Sequence, residues 1–243
     1  MNINGSVVLV TGGNRGLGKA FVQALLDAGA KKVYVAARQL TKTSDPRLQP
    51  LKLDITNDDD IAAAVEACQD INILINNAGI AGGGPLLGAA SMDRARAEIE
   101  TNYLGTLAMS RAFAPILKKN GGGALVNMLS VLSWLMSASS GSYSVSKAAE
   151  WTMTNGIRIE LRAQGTLVLG VHAGYIDTDM TTKIDAPKSR PEDIAAKTIE
   201  AIAAGQEEVL TDQFSQDVKA ALTTDPQSLN RQAQQTWDRS HLQ

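Results

Sequence analysis

An apolar run, Val7-Val8-Leu9-Val10, stops at Thr11-Gly12-Gly13, and Asn14-Arg15-Gly16-Leu17-Gly18 then leads into a helical pattern closed by Gly29. A run this short and this apolar reads as a strand buried on both faces. The glycines let the backbone turn tightly and approach a bound group closely. The free N–H groups at the start of the following helix then face negative charge. A buried strand, a tight glycine turn and a helix in succession demand parallel neighbours for the strand and helices on both faces of the sheet.

The rest of the chain supplies them. Strands are expected at 6–11, 32–36, 51–53, 72–75, 123–129, 166–171 and 207–210. Between them, helices are expected at 15–28, 57–67, 92–118, 143–163 and 190–204, the third bent or broken near Asn102 to Gly105. Asn57 is the expected N-cap of its helix, with acidic residues in the first turn. Alternating strands and helices imply right-handed βαβ units. The expected fold is therefore α/β: a single Rossmann-type, doubly wound domain spanning 1–243, with a seven-stranded, mostly parallel sheet and helices on both faces. Such a sheet binds ligand at the carboxyl ends of its strands. Residues 212–243 form a polar, Gln-rich, partly helical extension.

The chain has 243 residues, 44% of them hydrophobic and 20% charged, with a net charge of −2. That charge gives no pull toward nucleic acid or anionic membrane. No apolar stretch reaches membrane-spanning length. The N-terminus lacks the basic and apolar regions of a signal peptide, so a cytoplasmic protein is expected. Cys68 reads as a small buried helix residue, and His172 and His241 form no metal-ligand cluster.

The glycine loop has the spacing Gly-x3-Gly-x-Gly over Gly12, Gly16 and Gly18. Gly13 to Lys19 also mimics the start of a triphosphate P-loop, but Ala20 stands where a hydroxyl should hold Mg²⁺. Lys19 then reads as a solvated residue on the first turn. An NAD enzyme places an acid at the end of the second strand for the ribose hydroxyls. This chain has Ala36-Ala37-Arg38 there. Arg38 suits a 2′-phosphate, Arg15 can add a second charge, and NADP(H) is the expected cofactor.

With Thr11-Gly12-x3-Gly16-x-Gly18, Asn76-Asn77-Ala78-Gly79, Asn102, Ser130 and Tyr143-x3-Lys147 in this order, residues 5–211 resemble the short-chain dehydrogenase/reductase family. The resemblance implies that Gly12, Asn14, Arg15, Gly16, Leu17 and Gly18 hold the pyrophosphate, with Ala37 and Arg38 at the adenosine ribose. Asp54 and Ile55 would flank the adenine. Asn77, Ala78 and Gly79 would line the cleft, with Ile176 and Thr178 near the nicotinamide amide. Where the family often has Pro-Gly after the sixth strand, this chain has Ala173-Gly174. The covering loop, 179–190, is short.

Reducing a ketone needs a proton donor, and an unperturbed tyrosine, with a pKa near 10, is poorly matched to neutral pH. Lys147 follows Tyr143 by one helical turn, so a cation is expected to lower that pKa. Ser130 can hydrogen-bond the substrate oxygen. The resemblance implies that Lys147 also holds the nicotinamide ribose and that Asn102 holds a water feeding protons toward Lys147. The expected activity is interconversion of a ketone or aldehyde with its alcohol. The alternative is a catalytically idle NADP(H)-binding sensor or scaffold. Ile80, Leu132, Trp134, Leu135, Met136, Tyr175 and Met180 are expected at the pocket mouth, which suits a small apolar substrate. Ala148, Ala149, Trp151, Met153 and Ile157 exceed one buried stripe, so a homodimer or homotetramer is expected.

Overall fold

A computed structural model describes residues 1–241. Seven strands form one sheet in the order β3-β2-β1-β4-β5-β6-β7. They are β1 (Val7–Thr11), β2 (Lys32–Ala37), β3 (Leu48–Lys52), β4 (Ile73–Asn76), β5 (Ala124–Met128), β6 (Leu167–His172) and β7 (Glu208–Leu210). Every pairing is parallel. The chain winds outward from β1 to β3, then crosses back to place β4 on the other side of β1. That reversal opens a crevice between β1 and β4 at their carboxyl ends.

Strand alternation divides the core in two. Val8, Val10, Val33, Ile73, Ile75 and Val126 point to one face, packing with Phe21 and Leu25 of α1 (Gly16–Asp27) and Ile194 and Ile202 of α6 (Pro191–Ala204). Leu9, Leu74, Leu125 and Val168 point to the other. There they meet Ile61 of α2 (Asp58–Ala67), Met109 and Phe113 of α4 (Thr106–Lys119), and Ile157 of α5 (Gly141–Leu161). Both faces of the central strands are dry, which is why the runs are continuously apolar. The Asn57 side chain caps α2, accepting from the Asp60 N–H at 2.9 Å. Cys68 ends the same helix, wholly buried, and burial pushes its thiol up to about 12.

Three features depart most from expectation. Strand β3 starts at Leu48 rather than Leu51, because it is an edge strand paired only with β2. An edge accepts Pro50 and polar residues that break up the apolar pattern. Helix α5 starts at Gly141, two residues before Tyr143, after a 3-10 turn over Ala138–Ser140. The break near Asn102 is a π-helical stretch, Ile99–Gly105, joining α3 (Asp93–Glu98) to α4. It presses Gly105 onto Ile55, where an added Cβ would stand 2.9 Å from Ile55 Cγ1.

The extension forms α7 (Gln213–Thr224) and α8 (Pro226–His241). Val218 and Leu229 from these helices are buried with Val131, and Leu132, Trp134 and Leu135 pack against them. Asp212 caps α7 by accepting from Ser215 N–H at 2.7 Å, and also accepts from Gly174 N–H at 2.6 Å. The tail is thereby tied to the loop after β6. No helix among the described residues is long and apolar enough to cross a membrane.

Candidate active site

The glycine loop connects the end of β1 to α1. At Gly18 an added Cβ would lie 2.0 Å from the Gly12 carbonyl oxygen, so only glycine allows the loop and helix to close on each other. Leu17 is buried in the core under this turn, while Lys19 is exposed. No side chain caps α1 and no acid occupies its first turn. Its N-terminal N–H groups therefore keep their affinity for an anion, and the residues fit a dinucleotide pyrophosphate. Thr11 locks the neighbouring strand ends. Its buried hydroxyl accepts from Asn77 N–H at 2.9 Å and Ala78 N–H at 3.0 Å, and Asn77 Nδ2 donates to the Thr11 carbonyl at 2.9 Å.

Arg38 is exposed one residue beyond β2, after the buried Ala37. Asp54 lies just past β3. Burial works against its charge, but the Thr56 N–H and hydroxyl and the Arg38 charge outweigh it and hold the carboxyl below its usual value. Asn14 Nδ2 donates to the Gln39 carbonyl at 3.2 Å, tying the glycine loop to the same corner. Arg15 is exposed and pairs at 3.4 Å with Asp179, itself in a 3-10 turn over Asp179–Thr181 that Thr178 caps. With side chains 72% and 79% exposed, this pair contributes little stability. Ile176 bridges to Ser189, and its carbonyl accepts from the Thr181 hydroxyl.

Ser130 follows β5 by two residues and starts a 3-10 turn, its hydroxyl accepting from Leu132 N–H at 3.1 Å. Tyr143 and Lys147 stand one turn apart on α5, the Lys147 Nζ 5.9 Å from the phenol ring centre. Gly79 abuts both Asn102 and this ammonium. The structure thus brings the four residues picked out as catalytic, and the glycine loop, to one end of the sheet. Two details depart from expectation. Burial raises the Tyr143 pKa above its ordinary value, and the opposing Lys147 charge does not cancel it. Asn102 is wholly buried: its Oδ1 accepts from Ile80 N–H at 2.8 Å, and its Nδ2 donates to the Ile80 carbonyl and to Ser146 Oγ, each at 2.9 Å. Its observed work is to pin the segment after β4 to α5.

Three groups at the site have no role in the expectations drawn from the sequence. Glu150 lies three residues after Lys147 and pairs with it at 2.7 Å, both side chains buried. Lys147 also donates to the Met128 carbonyl at 2.8 Å. Burial drives the Glu150 carboxyl up to about 7, against the pull of Lys147. Glu98 is a buried carboxylate accepting from the N–H groups of Gly82 and Gly83 at 3.0 and 2.8 Å. His172, at the end of β6, is fully buried with Nδ1 3.1 Å from the Ser130 carbonyl; since a carbonyl only accepts, Nδ1 carries the hydrogen. Burial foremost, with the charges of Lys219, Lys147 and Arg158, lowers the His172 pKa to about 3. The i,i+3 spacing of Lys147 and Glu150 was the one available signal.

Trp134 lies inside a stack rather than at an open pocket mouth. Its ring is 3.7 Å from that of His172 and meets Trp151 edge-on at 6.3 Å, with the Lys219 ammonium over it at 4.3 Å. Leu132 and Leu135 share this cover, because α7 and α8 close over the turn. Met136, Tyr175 and Met180 remain exposed, joined by Leu86, Leu87 and Phe214. Lys219 is paired with Glu208 at 2.8 Å, and the Arg94 guanidinium approaches Gly82.

Residues 6–189 match the family model described as short chain dehydrogenase. The chain belongs to the short-chain dehydrogenase/reductase family. Among solved structures of this family, one from Burkholderia cenocepacia J2315 in complex with NADP is 41% identical, with a TM-score of 0.92 over 96% of this chain and 99% of that one. A 3-oxoacyl-[acyl-carrier-protein] reductase of Vibrio cholerae is 30% identical over 194 residues, 76% of this chain and 79% of that protein. The short chain dehydrogenase tazN of Aspergillus terreus is 32% identical over 197 residues, 74% of this chain but only 43% of that longer protein. The chain is thus an oxidoreductase of this family.

Proposed function

We propose that the whole chain acts as one NADP(H)-dependent carbonyl reductase domain, interconverting a small, largely apolar ketone or aldehyde and its alcohol in the cytoplasm. The observation that carries this reading is the convergence of Ser130, Tyr143 and Lys147 beside a glycine loop whose helix N-terminus is uncapped. An idle sensor would not need a proton donor there. The NADP complex of the Burkholderia protein and the exposed, acid-free corner at Arg38 support the cofactor preference.

When bound, the nicotinamide supplies hydride to the carbonyl carbon. The Tyr143 hydroxyl gives its proton to the carbonyl oxygen, and the resulting phenolate recovers a proton from water. Ser130 donates a hydrogen bond to the same oxygen as charge builds on it. Lys147 offers its remaining N–H to the nicotinamide ribose. Gly12, Gly16 and Gly18 admit the pyrophosphate, Asp54 and Ile55 flank the adenine, and Asn77, Ala78, Gly79, Ile176 and Thr178 line the nicotinamide half. Asn102 keeps the water-holding role as a proposal for its backbone, since its amide is engaged with Ile80 and Ser146.

The exposed Met136, Tyr175, Met180 and Leu86 support an apolar substrate. The oligomer reading shifts to other residues. Ile157 is core and Trp151 packs on Trp134, whereas Leu104, Val145 and Ile159 leave apolar surface free, Ile159 at 78% exposure. We read these as the contact face of a homodimer or homotetramer. The deciding experiment is NADPH-linked reduction of an aromatic ketone by wild type and Tyr143→Phe. A general acid contributes about 10²- to 10⁴-fold, so kcat should fall at least that far while NADPH binding persists. Retention of most of kcat removes Tyr143 from the chemistry. A clear preference for a keto acid of similar size would bring Arg94 into the pocket and overturn the apolar reading.

A further inference from the structure

Lys147 and Glu150 bury opposite charges against each other under the site, with side chains 7% and 2% exposed. Desolvating such a pair costs several kcal/mol, and apolar replacements of similar volume are often neutral or stabilising. Stability alone therefore gives no reason for a carboxylate at this position. Its placement gives another. Lys147 has three N–H donors; Glu150 takes one at 2.7 Å and the Met128 carbonyl another at 2.8 Å. One donor remains for the cleft, next to Gly79.

We propose that Glu150 is a positioning residue that fixes the direction of the Lys147 ammonium and offsets its charge as felt at Tyr143. This rests on the reductase reading given above. The charged and titratable groups facing Tyr143 are Lys147 and Glu150 from α5 and Glu98 from α3, with the Ser130 hydroxyl from the turn after β5. His172, which faces Lys147 from β6, is neutral. Of these, Glu98 and Glu150 hold the proton on Tyr143 while Lys147 and Ser130 act against it. With a carboxyl that titrates near 7, Glu150 is fully ionised over the alkaline range where a phenol deprotonates.

The test is absorbance titration of phenolate in the full-length chain, taking Tyr143→Phe as the blank so that only Tyr143 is read. Glu150→Gln keeps a hydrogen-bond acceptor for Lys147 and removes the charge. It should move the Tyr143 midpoint toward acid by about one pH unit or more. Glu150→Ala should move it the same way, and Glu150→Asp, which keeps the charge, should move it less than either. The pH optimum of NADP⁺-linked alcohol oxidation should follow the phenolate midpoint. A folded neutral variant whose midpoint stays within about 0.2 units of wild type overturns the proposal. Failure of both neutral variants to fold also overturns it, because the carboxyl would then serve the core. A phenolate shift without NADPH-linked reduction by wild type would instead refute the reductase reading and leave the charge pair standing.

Discussion

His172 should make the folded protein lose stability in acid once the opposing titration of Glu150 is complete. The imidazole is wholly buried, donates through Nδ1 to the Ser130 carbonyl and stacks on Trp134. Its folded pKa falls from 6.5 to about 3, a depression, so its stabilising effect is complete above 6.5 and is lost as the pH drops toward 3. In that window the unfolded chain binds one proton that the native chain refuses. The slope is about 1.4 kcal/mol per pH unit, and over about 3.5 units the loss reaches roughly 5 kcal/mol. That is comparable to the whole stability of a typical domain. Glu208 Oε1 lies 3.7 Å from Nε2 but is held by Lys219, so it offers the imidazolium little relief. Glu150 works in the opposite sense: its raised value means stability is gained as pH falls from about 7 toward 4.5. In wild type the two slopes therefore offset each other between about 4.5 and 6.5, and the His172 loss emerges below. His172→Phe keeps a flat ring and removes the titration. Urea unfolding followed by tryptophan fluorescence, at pH steps from 7 to 4, gives the difference between the two proteins, from which every other group cancels. Below about pH 6.5 that difference should change by about 1.4 kcal/mol per pH unit in favour of the variant. A pH-independent difference would show that His172 titrates normally in the fold and would refute the argument from burial.

Arg38→Asp should weaken NADPH binding by about ten- to a hundredfold, the equivalent of one charge-assisted hydrogen bond, and shift the ratio of NADH to NADPH efficiency upward; fluorescence titration with both cofactors checks this. Gly18→Ala should abolish cofactor binding and lower Tm, since its Cβ would meet the Gly12 carbonyl at 2.0 Å; calorimetry with and without NADPH separates the two effects. Light scattering at micromolar concentration should report a dimer or tetramer, and Ile159→Arg should reduce its mass; a monomeric wild type would refute the oligomer reading.

The βαβ alternation, the helix boundaries to within a few residues, the Asn57 cap and the uncapped glycine turn were all legible in the linear chain, because each depends on local spacing or on one residue's backbone preference. Tyr143 and Lys147 were legible as a pair for the same reason. The edge position of β3, the π-helical form of the break at Asn102 and the stacking of Trp134 on His172 were not. An edge is defined by the strand that is missing beside it. The π turn is set by what it packs against, and Trp134 is covered by helices some eighty residues further along the chain. The sign at Tyr143 shows the difference most plainly. Helical spacing puts a cation one turn from the phenol, and that spacing argues for a lowered pKa. The fold sets the half-buried Tyr143 against the buried Lys147, with Glu150 and Glu98 close by, and there desolvation outweighs the single favourable charge. Spacing along a helix brings charges together, but only the fold determines how much water is left to screen them.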